Sequence, residues 1–158
     1  MIKIKIKKAN HEYSHDLWEW RNDRLTRKMS KNSNYITWEN HKKWFSKVII
    51  DPDIFFYVGE IENKIMGSVR FAKHSKSLDD YFVNINISPN NRGRGLSKLL
   101  LNSSINKFSS EVNKIRFLKA EVKEINNISK KLFKNYGFEE ENSSKNKIIT
   151  YKLYMDKN

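Results

Sequence analysis

Isoleucine occupies positions 2, 4 and 6 and lysine positions 3, 5 and 7, a period of two that predicts a strand with one wet face. Apolar spacing then widens to that of a helix. Leu17, Trp18 and Trp20 follow Ser14, and Trp38, His41, Trp44, Phe45 and Val48 follow Thr37. These sets predict two helices, Ser14 through Arg21 and another from Thr37, because a cap hydroxyl accepts from a free first-turn N–H. Residues 54–61 and 65–72 are rich in aromatic and β-branched side chains on either side of Glu62-Asn63-Lys64, which predicts an antiparallel hairpin. Residues 81–88 predict a third strand in this run.

Beyond Leu96, the stripe Leu101, Ile105, Phe108 and Val112 predicts a helix packed on the sheet, and residues 115–122 return to strand character. Asn126 is placed to cap a helix with Ile128, Leu132, Phe133 and Tyr136 on its inner side, and Gly137 to end it. Residues 147–155 predict the last strand, with a short one at 138–140. Strands alternating with helices in this order indicate an α/β fold, a mixed sheet of six or seven strands with about four helices. No repeat or linker interrupts the pattern, so residues 1–158 are expected to form one domain.

The segment between the third strand of that run and its helix reads Ser88-Pro89-Asn90-Asn91-Arg92-Gly93-Arg94-Gly95-Leu96-Ser97. Glycine permits backbone angles closed to other residues, so successive N–H groups can converge at the positive end of the following helix. A diphosphate fits such a cradle. Two glycines also make an ordinary turn, so other segments must decide.

Two segments together resemble the GNAT superfamily of acyl-CoA-dependent N-acyltransferases. The family's loop pattern is Gln or Arg, two residues, Gly, one residue, Gly or Ala; here Asn90 stands first, followed by Asn91, Arg92, Gly93, Arg94 and Gly95. The second pattern is Asn, two residues, a small residue, then Leu-Tyr or Leu-Phe before Gly-Phe, matched by Asn126, Ser129, Leu132, Phe133, Gly137 and Phe138. The resemblance implies a sheet splayed at an acyl-CoA site. N–H groups of Arg92, Gly93, Arg94, Gly95, Leu96 and Ser97, with Asn91 beside them, would hold the acetyl-CoA diphosphate. Backbone at Ile85, Asn86 and Ile87 would pair with the pantetheine arm, and Asn126 and Phe133 would line it. The side chains of Arg92 and Arg94 either neutralise phosphates or are solvated.

Relatives often carry a Glu base on the central strand and a Tyr acid after the Leu of the second motif; here those positions are Phe82 and Phe133. The remaining catalytic candidates are Asn86, with a backbone N–H near Ile87 to polarise the thioester, and Tyr136, whose place is equally that of a core residue. Catalysis is then expected to rest on positioning and water.

The segment Trp18-Glu19-Trp20-Arg21-Asn22-Asp23 also resembles the acceptor region of two branches. One acetylates nucleotide-linked 4-amino sugars of pseudaminic-acid type, the other N-terminal amines of ribosomal proteins. Trp20 would stack on a base or sugar, Arg21 would pair with phosphates, and Asn22 would join them; alternatively the tryptophans are core and Arg21 serves the helix end.

A net charge of +13 with pI near 9.8 attracts anions in general, and the basic residues are spread along the chain without an aromatic stripe, which disfavours nucleic acid. The chain has no Cys, which excludes thiolate chemistry and agrees with a cytoplasmic location. No run is long enough for a membrane helix, and no membrane partner is expected. His11-Glu12-Tyr13-Ser14-His15 spells the zinc-protease string, but it lies before an established helix, so no metal is expected. The first reading is an acetyl-CoA-dependent N-acetyltransferase acting on a small-molecule amine, an anionic nucleotide-linked amino sugar. A protein N-terminal or polyamine acetyltransferase and a non-catalytic acyl-CoA-binding module are the alternatives. Monomer and homodimer both stay open.

Overall fold

The computed structural model describes residues 1–141 and 146–155. The one-domain expectation for 1–158 therefore extends into residues 142–145 and 156–158, outside the described residues. A seven-stranded sheet forms the centre, ordered β1 (Lys5–Lys8), β2 (Ile54–Ile61), β3 (Lys64–Lys73), β4 (Asp80–Ile87), β5 (Phe117–Lys123), β7 (Ile148–Tyr154) and β6 (Glu139–Glu140). All neighbours are antiparallel except β4 and β5. Five α-helices accompany it among the described residues: α1 (Ser14–Asn22), α2 (Arg24–Met29), α3 (Trp38–Val48), α4 (Leu96–Glu111) and α5 (Asn127–Tyr136).

Local chemistry accounts for most boundaries. Thr37 and Asn126 cap α3 and α5 through the N–H groups of Asn40 and Ser129, as expected. Gly137, at φ 118°, ends α5. Ser14 is not a cap: Asn10 accepts from the N–H of Glu12 and opens a 3-10 turn at His11–Tyr13, which leads into α1. The short α2, absent from the sequence reading, starts at Asp23, whose carboxylate accepts from the N–H of Thr26. Six residues with no buried side chain leave no periodic signal to read. The hairpin turn has two residues instead of the expected three, because Glu62 and Asn63 both take positive φ and Lys64 already pairs with Ile61.

Alternation along the strands sorts side chains onto two faces. Tyr57, Val69, Phe71, Tyr81, Val83 and Leu118 meet α4 and α5, with Phe71 stacked on Phe108 at 4.2 Å between ring centroids. Val58 and Phe56 meet Leu17 and Trp20 of α1 and Phe45 of α3 on the opposite face. Burying each such aromatic ring contributes about 2–3 kcal/mol. The residues of β4 and β5 between these core positions are thereby turned toward the face that carries the first three helices.

Candidate active site

β4 and β5 pair only at Asp80, Tyr81 and Phe82 against Phe117, Leu118 and Lys119. Beyond that point β4 stays paired with β3 as far as Ile87, and β5 stays paired with β7 as far as Lys123, so the two inner strands part. The result is a wedge whose β4 wall, residues 83–87, has no strand partner on the β5 side. Ile85, Asn86 and Ile87 lie on that wall, with Asn86 in register with Ser68 of β3. Extended backbone without a partner is what a linear amide chain pairs with as an added strand.

The glycine loop stands at the open end of this wedge. Gly93 and Gly95 take φ of 72° and 69°, the left-handed region, and a Cβ at either would meet nothing within 4 Å. A side chain at either position would therefore project into open space. Gly95 begins α4 without a side-chain cap and the first turn carries no acid, which leaves the N–H groups of Leu96 and Ser97 available to an anion. Internal bonds hold the loop: Asn91 Nδ2 donates to Ser88 Oγ at 2.7 Å, and Arg94 donates to Asn91 Oδ1 at 2.8 Å. Arg92 is turned away from a phosphate role, since its Nη2 donates to Asp23 at 2.6 Å and to Thr26 Oγ1 at 2.7 Å. That strut fastens the loop to the junction of α1 and α2. Burial acts to raise the Asp23 pKa, but its bonds from Arg92 and Thr26 outweigh this and leave it below the usual carboxylate value.

On the second motif, Asn126 reaches the wedge end of α5 but spends its side chain on the helix cap. Phe133 is core, packed on Phe138 and Tyr151. Tyr136 donates its hydroxyl to Asn102 of α4 at 3.2 Å and packs against the core cluster, so it belongs to the seam between two helices and is not brought to Asn86. Burial raises its pKa.

Across the sheet, the segment from α1 to α3 roofs the wedge. Lys31 pairs with Glu121 of β5 at 3.0 Å, and Lys123 Nζ donates to the Lys28 carbonyl at 2.9 Å. Asn22 clamps this segment by bonding both the N–H and the carbonyl of Ile36 at 2.8 Å. Trp20, expected as a stacking platform, is only 9% exposed and packs with Leu17, Phe45 and Val58. Trp18 is the half-buried indole of this helix, fixed by its Nε1 bond to the Ile36 carbonyl. Arg21 donates to the Asn32 carbonyl at 2.6 Å and keeps a second, buried nitrogen without a partner.

Two carboxylates on the roofed face escaped the sequence reading. Asp80 opens β4 one residue before the expected start, but Arg116 and Lys119 hold it at the closed end of the wedge. Its bond from Arg116, more than anything else, keeps its pKa low. Glu121 lies between the core-facing Ala120 and Val122, hence on the face of Lys31, beside the open part of the wedge. Strand alternation through residues 117–123 is the signal that finds it.

His11 and His15 do not share a helix face: the first lies in the 3-10 turn against Phe45, the second on α1 against Trp18 and Trp38. Among the described residues, no group of three or more His, Asp or Glu side chains is placed to hold a metal ion. No described helix is long and apolar enough to cross a membrane. A surface groove of about 1560 Å³ runs past the glycine loop at Asn91 and Arg94 and along Trp20 and Asn22; Glu12, Asp16, Glu19, Asp23, Glu60 and Glu62 line it and outnumber its basic side chains Lys3, Lys64 and Arg94. Its acidic wall is unsuited to a diphosphate.

A sequence model of the acetyltransferase (GNAT) family matches residues 13–138. No curated protein matches the sequence. Among solved structures, spermidine N-acetyltransferase from Vibrio cholerae, in complex with CoA and spermine, superposes with TM-score 0.82 at 16% identity, covering 96% of this chain and 94% of its own. Ribosomal-protein-alanine N-acetyltransferase from Brucella melitensis gives 0.79 at 20% identity over 96% and 99%. Campylobacter jejuni N-acetyltransferase PseH, in complex with acetyl coenzyme A, gives 0.74 at 21% identity over 98% and 100%. At these identities the likeness is one of fold.

Proposed function

Because the chain belongs to the acetyltransferase (GNAT) family, we propose that it is an N-acetyltransferase that transfers the acetyl group of acetyl-CoA directly to a primary amine, in the cytoplasm, and that the amine is carried by a nucleotide-linked amino sugar. The observation that carries the first part is the glycine loop, an open anion cradle at the uncapped start of α4 beside an unpaired strand edge. In this reading the N–H groups of residues 93–97 hold the diphosphate, the Arg92 N–H being turned to the Pro89 carbonyl, and β4 near Ile85 and Ile87 aligns the thioester arm. An N–H near Ile87 polarises the carbonyl. The amine nitrogen attacks that carbon, the C–S bond breaks with its electron pair on sulfur, and the ammonium proton leaves to solvent or to Glu121. An alkylamine of pKa near 10.4 is unprotonated in only about one molecule in a few thousand at pH 7. A sugar amine is less basic, which suits a site with Phe82 and Phe133 where relatives place Glu and Tyr.

The acceptor assignment is supported by the net charge of +13 and by the partner-free nitrogen of Arg21 under the roof. The likeness to PseH is compatible with it. A second reading, a polyamine or another cationic amine, is favoured by the acidic groove beside the glycine loop. Free-thiol release from acetyl-CoA, measured with nucleotide-linked amino sugars, free amino sugars, spermidine and a basic peptide, separates the two. Failure of every one of these amines to release thiol, although CoA binds, points to a binding module and overturns both.

A further inference from the structure

Arginines in this protein mostly end on an acceptor: Arg92 on Asp23, Arg116 on Asp80, Arg94 on the Asn91 side-chain oxygen. Arg70 does not. It sits on β3 in register with Phe56 and Asn84, on the roofed side, with its guanidinium over Trp44 at 5.1 Å and over Phe56 at 5.9 Å. Ring faces attract the cation but accept none of its in-plane N–H groups. No hydrogen bond or ion pair joins Arg70 to any described residue. Arg21 stands on the same face: its neighbour Trp20 packs in one cluster with Phe56, the register partner of Arg70, and Arg21 keeps one nitrogen on the Asn32 carbonyl and the other buried and unpartnered.

Burial disfavours the charge on each, the positive field of Arg21 adds to this at Arg70, and that of Arg27 adds to it at Arg21. The carboxylates around them are committed elsewhere: Asp23 to Arg92, Glu121 to Lys31, Glu39 to Lys42, with Glu19 facing His15. Two half-buried guanidiniums without a counter-charge gain from an arriving anion, and their forked donors match the oxygens of a phosphate.

We propose that Arg21 and Arg70 form an anion subsite, separate from the glycine loop, that grips a phosphate of the acceptor while Trp44 holds the Arg70 guanidinium plane. The subsite rests on the reading of the acceptor as an anionic nucleotide-linked amine and adds Arg70 as the residue that selects it. It explains why two arginines whose neighbouring carboxylates are all engaged elsewhere are kept on this face.

The test is calorimetric titration of uridine diphosphate, inorganic pyrophosphate and glutamate into protein saturated with CoA, so that the glycine loop is already filled. The wild type is expected to bind both diphosphate probes, more weakly as salt rises. Arg70→Met should weaken this at least 30-fold, Arg70→Lys by less, and the exposed Arg24→Ala not at all, with CoA affinity unchanged throughout. Should Arg70→Met fail to melt cooperatively, Arg70→Lys and Arg21→Lys decide by the same titration. No diphosphate binding by the CoA-loaded wild type, equal binding by Arg70→Met, or preference for glutamate overturns the subsite. No amine is present in this titration, so its outcome is independent of the acceptor screen. Thiol release with a nucleotide sugar that Arg70→Met leaves intact refutes the subsite alone, whereas diphosphate binding without such release refutes the acceptor alone.

Discussion

Replacing Gly93 by valine separates the glycine loop's role as a ligand cradle from its role as a turn. The backbone there has φ 72°, which costs a residue with a Cβ roughly 1–2 kcal/mol, toward the upper end for a β-branched one. Since a Cβ would meet no atom within 4 Å, no clash inside the protein adds to that cost. For a domain of this size about 2 kcal/mol lowers Tm by roughly 4–8 °C. The effect on CoA should be much larger, because the left-handed φ that valine resists is what aims the loop's N–H groups at one point. Losing two charge-assisted bonds of about 1.5–3 kcal/mol each weakens binding by about 10²–10⁴-fold. Gly93→Ala should show a smaller backbone cost, toward the lower end of that range, with a smaller loss of binding. Thermal melts and calorimetric titration of CoA measure both quantities on the same samples. A folded Gly93→Val protein that binds CoA like the wild type would refute the cradle, and with it the transferase reading.

Asn126→Ala removes the α5 cap and should cost about 1 kcal/mol in chemical denaturation, with a modest loss of CoA affinity. Glu121→Gln should slow thiol release by about 10²-fold while leaving the KM for acetyl-CoA unchanged if Glu121 takes the amine proton; equal rates would assign proton removal to solvent alone. The folded pKa values of Asp80 and Asp23 lie below the unfolded value of about 3.9. Their contribution to stability is thus complete above that value and is lost as pH falls through the lower folded ones. Melts should decline gently as pH falls through about 6.5, because burial holds the His41 pKa below its unfolded value, and more steeply below about 4, with a shallower acid limb in Asp80→Asn.

Local physics made much of the architecture legible in the linear chain. Alternation at Ile4 and Ile6, helical spacing at Leu101, Ile105 and Phe108, and caps at Thr37 and Asn126 each act over a few neighbouring residues, and the structure keeps them. The glycine loop was readable for the same reason, since positive φ at Gly93 and Gly95 is a demand of the turn itself. The short α2 was not, because Asp23 starts it and no buried stripe sustains it.

The allocation of side chains across the site belongs to the tertiary structure. Nothing local says that Arg92 turns back to Asp23 from a stretch that precedes it by 69 residues, or that Trp20 goes under Phe45. Nor does the chain's order show that Glu121 meets Lys31, or that Arg70 crosses to Trp44. Backbone preferences are set by neighbours in sequence, so the elements and the cradle were determined there. Which charge finds a partner and which is left facing the wedge depends on strand register and helix docking, and these exist only once the sheet has closed on both faces.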